Sequence, residues 1–104
     1  MRKKLLSLLL GLCVVVMSTV AFAHTPILNC YMDGTTVICE GGFSNGASAA
    51  GVQMTVRDGQ KNVLFEGKLD ENGMWEFERP EGYFEVEFNA GPGHVVVVTS
   101  DDIE

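Results

Sequence analysis

The chain has 104 residues, of which 46% are hydrophobic and 9% aromatic, and it carries 12 glycines and three cysteines. Seven basic residues face 14 acidic ones, a formal charge of −7. That balance argues against nucleic acid or an anionic membrane surface as partner, because phosphate recognition draws on Lys and Arg.

The chain opens on Arg2, Lys3 and Lys4, followed by an apolar run over 5–16 that is broken only by Ser7, Gly11 and Cys13. Ala21-Phe22-Ala23 then supplies the small-x-small pattern that signal peptidase cuts. Residues 1–23 are therefore predicted to be a secretory signal, with a domain over 24–104 that is periplasmic or otherwise exported. A membrane anchor needs a longer apolar span, and the switch to polar, turn-rich sequence after Ala23 favours cleavage. Leu12 stands before Cys13, where lipid attachment needs a small residue. Cleavage after Ala21 is the alternative. Either cut removes Arg2, Lys3 and Lys4 and leaves four basic against 14 acidic residues, a balance of −10. The 81 residues from His24 suffice for one small domain.

Seven strands are predicted, over 27–32, 35–40, 51–57, 62–69, 74–79, 83–89 and 94–99. The first two contain Cys30 and Cys39, the cysteines that remain after cleavage. If those two face each other, Tyr31 faces Ile38, Met32 faces Val37 and Asp33 faces Thr36, leaving the two-residue loop Gly34-Thr35. Glycine at the first loop position is what a type II′ turn requires. Turn chemistry and cysteine placement thus give one register, and a directly opposed pair in an oxidising compartment is expected to form a disulfide. Free thiols acting as soft metal ligands are the alternative.

After a small-residue loop over 44–51, Val52, Met54 and Val56 alternate with polar residues. Trp75 and Phe77 do the same, as do Phe84, Val86 and Phe88. Glu76, Glu78, Glu85 and Glu87 then fall on solvent faces, where they solubilise and discourage edge pairing. The run over 95–98 is all valine and suits a strand covered on both faces or one at the edge of the core. Asp58-Gly59, Asp70-Glu71-Asn72-Gly73, Pro80-Glu81-Gly82 and Gly91-Pro92-Gly93 are turn signals between strands. No segment holds a helical period. The expectation is an all-β, seven-stranded antiparallel Ig-like sandwich, with Trp75, Phe77, Phe84, Phe88 and the valines in its core.

Only two histidines are present, His24 and His94. Cleavage after Ala23 makes His24 the first residue, and its amine and Nδ1 can then close a chelate ring on one metal ion. Amines and imidazoles as classes titrate near ~8 and ~6.5, so both give up protons readily to a competing metal at neutral pH. Cleavage after Ala21 would put His24 third, an arrangement that takes copper(II) or nickel(II) in square-planar geometry. His94 opens the last predicted strand. If the first and last strands run parallel side by side, the two histidines meet, and amine, His24 and His94 form a three-nitrogen brace. Otherwise His24 belongs to a loose terminus and His94 is a turn residue. Met32, Asp33, Glu40, Asp101 and Asp102 are further candidate ligands. No nucleophilic triad, phosphate loop or metalloprotease pattern is present, so no enzyme activity and no small-molecule substrate are expected.

The segments Ala50-Gly51-Val52-Gln53-Met54-Thr55-Val56, Gly67-Lys68-Leu69-Asp70-Glu71-Asn72-Gly73-Met74-Trp75-Glu76-Phe77 and Pro80-Glu81-Gly82-Tyr83-Phe84-Glu85-Val86 resemble the carboxypeptidase-regulatory-like, or transthyretin-like, sandwich. That resemblance implies a fold and says little about function. His24, the Glu40-Gly41-Gly42-Phe43-Ser44-Asn45-Gly46 stretch with Ala49 to Gly51, and Ala90-Gly91-Pro92-Gly93-His94 resemble small periplasmic accessory proteins of bacterial nickel and cobalt transporters. By that resemblance the two histidines carry the metal and the partners are membrane transporter subunits. A copper carrier using the same ligands, and a metal-free interaction or adhesion module, are the competing expectations.

Overall fold

The computed structural model describes residues 24–104; the segment over 1–23, expected to be a secretory signal, lies outside the described residues. All seven predicted segments are strands: β1 (Pro26–Asp33), β2 (Thr36–Phe43), β3 (Gln53–Asp58), β4 (Val63–Lys68), β5 (Met74–Glu78), β6 (Phe84–Asn89) and β7 (Val95–Thr99). They form two antiparallel sheets, with strand orders β1-β2-β5 and β4-β3-β6-β7. A short 3₁₀ turn, Ser100–Asp102, follows β7. The seven-stranded sandwich is thus the architecture. Relative to the constant-type immunoglobulin arrangement, the fourth strand has moved to the sheet of the third.

The first hairpin has the register that its turn chemistry dictates. Cys30 pairs with Cys39, Tyr31 with Ile38, and Asp33 with Thr36. Gly34 sits at φ +62° and Thr35 is not left-handed, as a type II′ turn requires. Met32 sends its N–H away from β2, to the Glu104 carbonyl at 3.0 Å. The Met32–Val37 pair is therefore a non-hydrogen-bonded one, and by alternation so is Cys30–Cys39. Cα atoms in such pairs stand about 4.5 Å apart, inside the ~4.4–6.8 Å that a disulfide spans.

In this structure the two cysteines are free thiols, both buried, with their Sγ atoms 2.8 Å apart. The contact with Cys30, and then burial, push the Cys39 thiol well above its ordinary range. That disfavours the thiolate a soft-metal site would need. Treatment with oxidised glutathione, which takes up the two electrons and two protons, is expected to join the pair. Closing this ten-residue loop should raise the unfolding free energy by about 2.5–3 kcal/mol. Equal denaturation midpoints with and without reductant would rule the bridge out.

The inward faces of both sheets bury Val37, Cys39, Met54, Val56, Phe84, Val86 and Phe88 completely, with Phe77 close behind. Trp75 departs from the expected core. It is only half-buried and lies across the β4–β5 edge, over Gly67, where an added Cβ would come 2.4 Å from the indole Nε1. The valine run is an edge strand with one face covered. Val96 and Val98 are half-buried against β6, whereas Val95 and Val97 are 44% and 48% exposed. Leu69, Ala49 and Ile103 complete the core from segments outside the strands.

At the far end of the sandwich, the Arg79 guanidinium stacks 5.3 Å from the Phe84 ring centroid. It donates to the carbonyls of Ile103 and Ser100 at 3.3 and 3.4 Å. This ties the C-terminus to the body of the domain.

Candidate functional site

Strands β1 and β7 are edge strands of different sheets, and they lie beside each other. Their ends show that they run in the same direction. Met32, near the end of β1, bonds Glu104 beyond the end of β7, while the residues just ahead of both strands line one cavity. That cavity, of about 220 Å³, is bounded by His24, Phe43, Ala47, Ala90 and His94. The parallel arrangement on which the meeting of the two histidines depended is therefore present. It arises across the open edge of the sandwich and not within one sheet.

His24 is solvent-exposed, but it is not part of a loose terminus. The Thr25 N–H donates to Ser44 Oγ at 3.2 Å, and the Ser44 N–H returns a bond to the Thr25 carbonyl at 2.8 Å. The Asn45 carboxamide meets His24 Nδ1, and Asn45 Oδ1 accepts the Ala47 N–H at 3.0 Å. Since Oδ1 is taken by a backbone donor, the group facing His24 is the amide N–H₂, which can only donate. His24 Nδ1 is then the acceptor and carries a lone pair. Gly46, at φ +82°, lets this turn close. The His24 ring stands edge-on to Phe43, at 6.3 Å and 65°, and Phe43 stands edge-on to Phe88, at 5.7 Å and 73°. An aromatic chain thus runs from the deepest core to the cavity wall.

His94 is half-buried and sits on a built turn. Ala90 donates to the His94 carbonyl at 3.0 Å, and His94 donates to the Gly91 carbonyl at 2.9 Å. Gly91 at φ +109° and Gly93 at +79° supply conformations that L side chains rarely take. His94 Nδ1 lies 3.2 Å from the Pro92 carbonyl. A carbonyl only accepts, so Nδ1 carries the proton and Nε2 keeps the free lone pair. A ring nitrogen anchored on a backbone carbonyl is the usual way a ligating imidazole is oriented.

The other candidate ligands do not reach this cavity. Met32 and Asp33 lie at the opposite end of β1, and the Met32 sulfur is occupied by Arg79 at 3.1 Å. Glu40, exposed, accepts the Tyr31 hydroxyl at 3.2 Å. Asp101 and Asp102 sit in the 3₁₀ turn past the end of β7. At about 3.3 Å per residue, a strand's length separates them from His94. Among the described residues, no three His, Cys, Asp or Glu side chains gather into a metal-holding group. The side chains around the cavity offer two imidazoles, one with its lone pair at Nδ1 and one at Nε2.

Sequence reading quoted Asn45 and Ala90 only within the stretches that carry the resemblance, and it gave neither them nor Ala47 a place at the site. Asn45-Gly46 is legible as a turn, but its contact with His24, 21 residues away, is made by the fold. Compared with protein-family models, curated proteins and solved structures, the chain matches none.

Proposed function

We propose that this chain is an exported metal-binding accessory protein, which holds a nickel or cobalt ion at His24 and His94 and presents it to a membrane transporter. The observation that carries the reading is the shared cavity: the chain's only two histidines, 70 positions apart, line one space of about 220 Å³. That volume is below the ~300–1,000 Å³ typical of small-molecule pockets and suits an ion with a few waters, at ~30 Å³ each. Cutting between Ala23 and His24 would free an α-amine next to His24 Nδ1. Amine, Nδ1 and His94 Nε2 would then make a three-nitrogen set. Asn45 would yield its hydrogen bond on Nδ1 to the ion.

A nitrogen-only set also suits copper(II), which outranks nickel and cobalt at such ligands. A copper carrier is therefore the second reading, and titration with all three metals decides between them. The processed protein is expected to bind one divalent ion. His24→Ala and His94→Ala should each weaken binding at least about tenfold. Affinity should also fall as the pH is lowered from about 7.5 to 5, because protons compete for the nitrogen donors. Absence of binding in the parent, or unchanged affinity in both variants, would leave the metal-free interaction module as the reading. Affinity that stays flat over that pH range would point to carboxylate ligands.

A further inference from the structure

The two outer faces of the sandwich differ in how they treat their carboxylates. On the four-stranded sheet, Arg57 pairs with Glu87 at 3.4 Å and Lys61 with Glu85 at 2.9 Å. The Lys61 ammonium, followed by the Tyr83 hydroxyl, holds Glu85 below the usual carboxylate range. On the three-stranded sheet nothing comparable happens. β1, β2 and β5 contain no Lys or Arg at all. Their register puts Asp33, Thr36 and Glu78 in one outward row, Tyr31, Ile38 and Glu76 in the next, and Asn29, Glu40 and Met74 in a third. Four carboxylates thus share a face with no cation on its own strands. Packing around the ring, then the hydrogen bond to Glu40 and the charges of Glu40 and Asp33, push the Tyr31 hydroxyl up.

This face is grooved at its β5 rim, where the Trp75 indole, rooted on the inward row opposite Cys39, reaches out beside β4. A cavity of about 400 Å³ has apolar walls made by Tyr31, Ile38, Met74 and Trp75, with Lys68, Asp70 and Glu76 at its polar margin. All four apolar walls are half-buried, and the acidic side chains around them are exposed. Lys68 is the one cation there, contributed by β4, and it faces two carboxylates in the same groove. A second copy of this chain would bring like charge against like. Charge complementarity instead selects a cationic occupant, and the apolar walls select one with a hydrophobic anchor.

We infer that the outer face of β1-β2-β5 is a docking surface for a basic segment of a partner protein, whose apolar side chain fills the groove between Tyr31, Ile38, Met74 and Trp75. The lysines or arginines of that segment meet Glu40, Glu76, Glu78 and Asp33, and the anchor displaces water from beside the indole. The inference is independent of the metal site, which lies beyond the opposite edge of this sheet, between β1 and β7.

Trp75 is the only tryptophan in the chain and one wall of this groove, so its emission reports the β5 rim, and the amide resonances place the occupant on the face. The processed full domain is titrated with a peptide alternating lysine and leucine, with its glutamate–leucine counterpart, and with the lysine peptide carrying serine for leucine. The lysine–leucine peptide is expected to shift Trp75 emission and the amide resonances of β1, β2 and β5, more weakly as salt is raised. The two control peptides should do neither. The double variant Glu40→Lys/Glu76→Lys should weaken binding about tenfold or more, and the milder Glu40→Gln/Glu76→Gln should lie between it and the parent. Glu66→Lys on the other sheet should leave binding unchanged. Equal losses from Glu66→Lys and from the double variant would overturn the inference, leaving only attraction to net charge. Binding by the serine peptide, or resonance shifts mapping to another face, would overturn it as well. A Trp75 signal that moves with protein concentration alone would assign the groove to a second copy, and so also overturn it.

Discussion

Replacing Phe88 by alanine is expected to lower the unfolding free energy by about 3–5 kcal/mol. Phe88 is fully buried on β6, between Met54 of β3 and Val96 of β7. Its ring approaches the other sheet so closely that Gly41 of β2 has no room for a Cβ, which would lie 2.9 Å from Phe88 Cε2 and 2.5 Å from Leu69 Cδ1. Truncation would therefore empty the contact between the sheets, where rigid backbone on both sides limits collapse into the space. An 81-residue domain has a total stability of roughly 4–12 kcal/mol, so the variant should be close to unfolding at physiological temperature. An unfolding free energy within about 1 kcal/mol of the parent's, read from denaturant titration, would contradict the packing described here. The same substitution reaches the candidate site, because Phe88 supports Phe43 and Phe43 supports His24. Phe88→Leu keeps most of the volume. It should fold and still weaken metal binding, which separates the loss of the wall from the loss of the fold.

Leaving a single extra residue ahead of His24 is expected to weaken metal binding about 100-fold, the scale on which losing one arm of a linked ligand set acts. Under the proposed function the α-amine is a ligand, and an added residue turns it into an amide that gives up a proton reluctantly. The metal-free fold should be unaffected. The contacts that clasp this segment run through the Thr25 main chain, Ser44 and the His24 ring, not through the amine. Calorimetric titration of the extended and the cleaved protein, alongside their thermal midpoints without metal, reads both quantities. Equal affinities would remove the amine from the ligand set and leave two imidazoles. A lowered midpoint in the extended form would mean that the added residue perturbs the clasp itself.

How much of this was legible in the sequence depended on how local the physics is. Three strands were readable from alternation at period two, a property of five or six consecutive residues, the last from its β-branched run, and the others from the turn signals that bound them. The β1–β2 register was readable as well, because Gly34-Thr35 permits one tight turn and the cysteines agree with it. Trp75 was misplaced by the same logic. Alternation says which face a residue is on, but not whether that face ends at a sheet edge, and Trp75 points inward at the rim beside Gly67.

His24 and His94 are an intermediate case. Their rarity and their positions just ahead of two strands were visible in the sequence. Their meeting required β1 and β7 to run parallel, and nothing local sets that. It follows from which strands sit at the sheet edges and how the two sheets face each other. The further ligands suggested by composition failed for the same reason: Met32, Asp33, Asp101 and Asp102 were placed at the other end of those two strands. Asn45, which holds His24, lay in a stretch singled out by resemblance, but nothing in that stretch marked its side chain as a partner of His24.

The sequence by itself determined the strands, the turns, the first hairpin and the residues chemically able to bind a metal, because each depends on side chains and backbone within a few positions. Only the tertiary structure decided which of those residues share a space. It brought the two histidines to one cavity and gave their rings opposite hydrogen-bonding roles. It also left one sheet face acidic and grooved while its opposite neutralised itself. Such outcomes depend on edges and on the relative direction of distant strands, and these are settled when two sheets bury their apolar faces against each other.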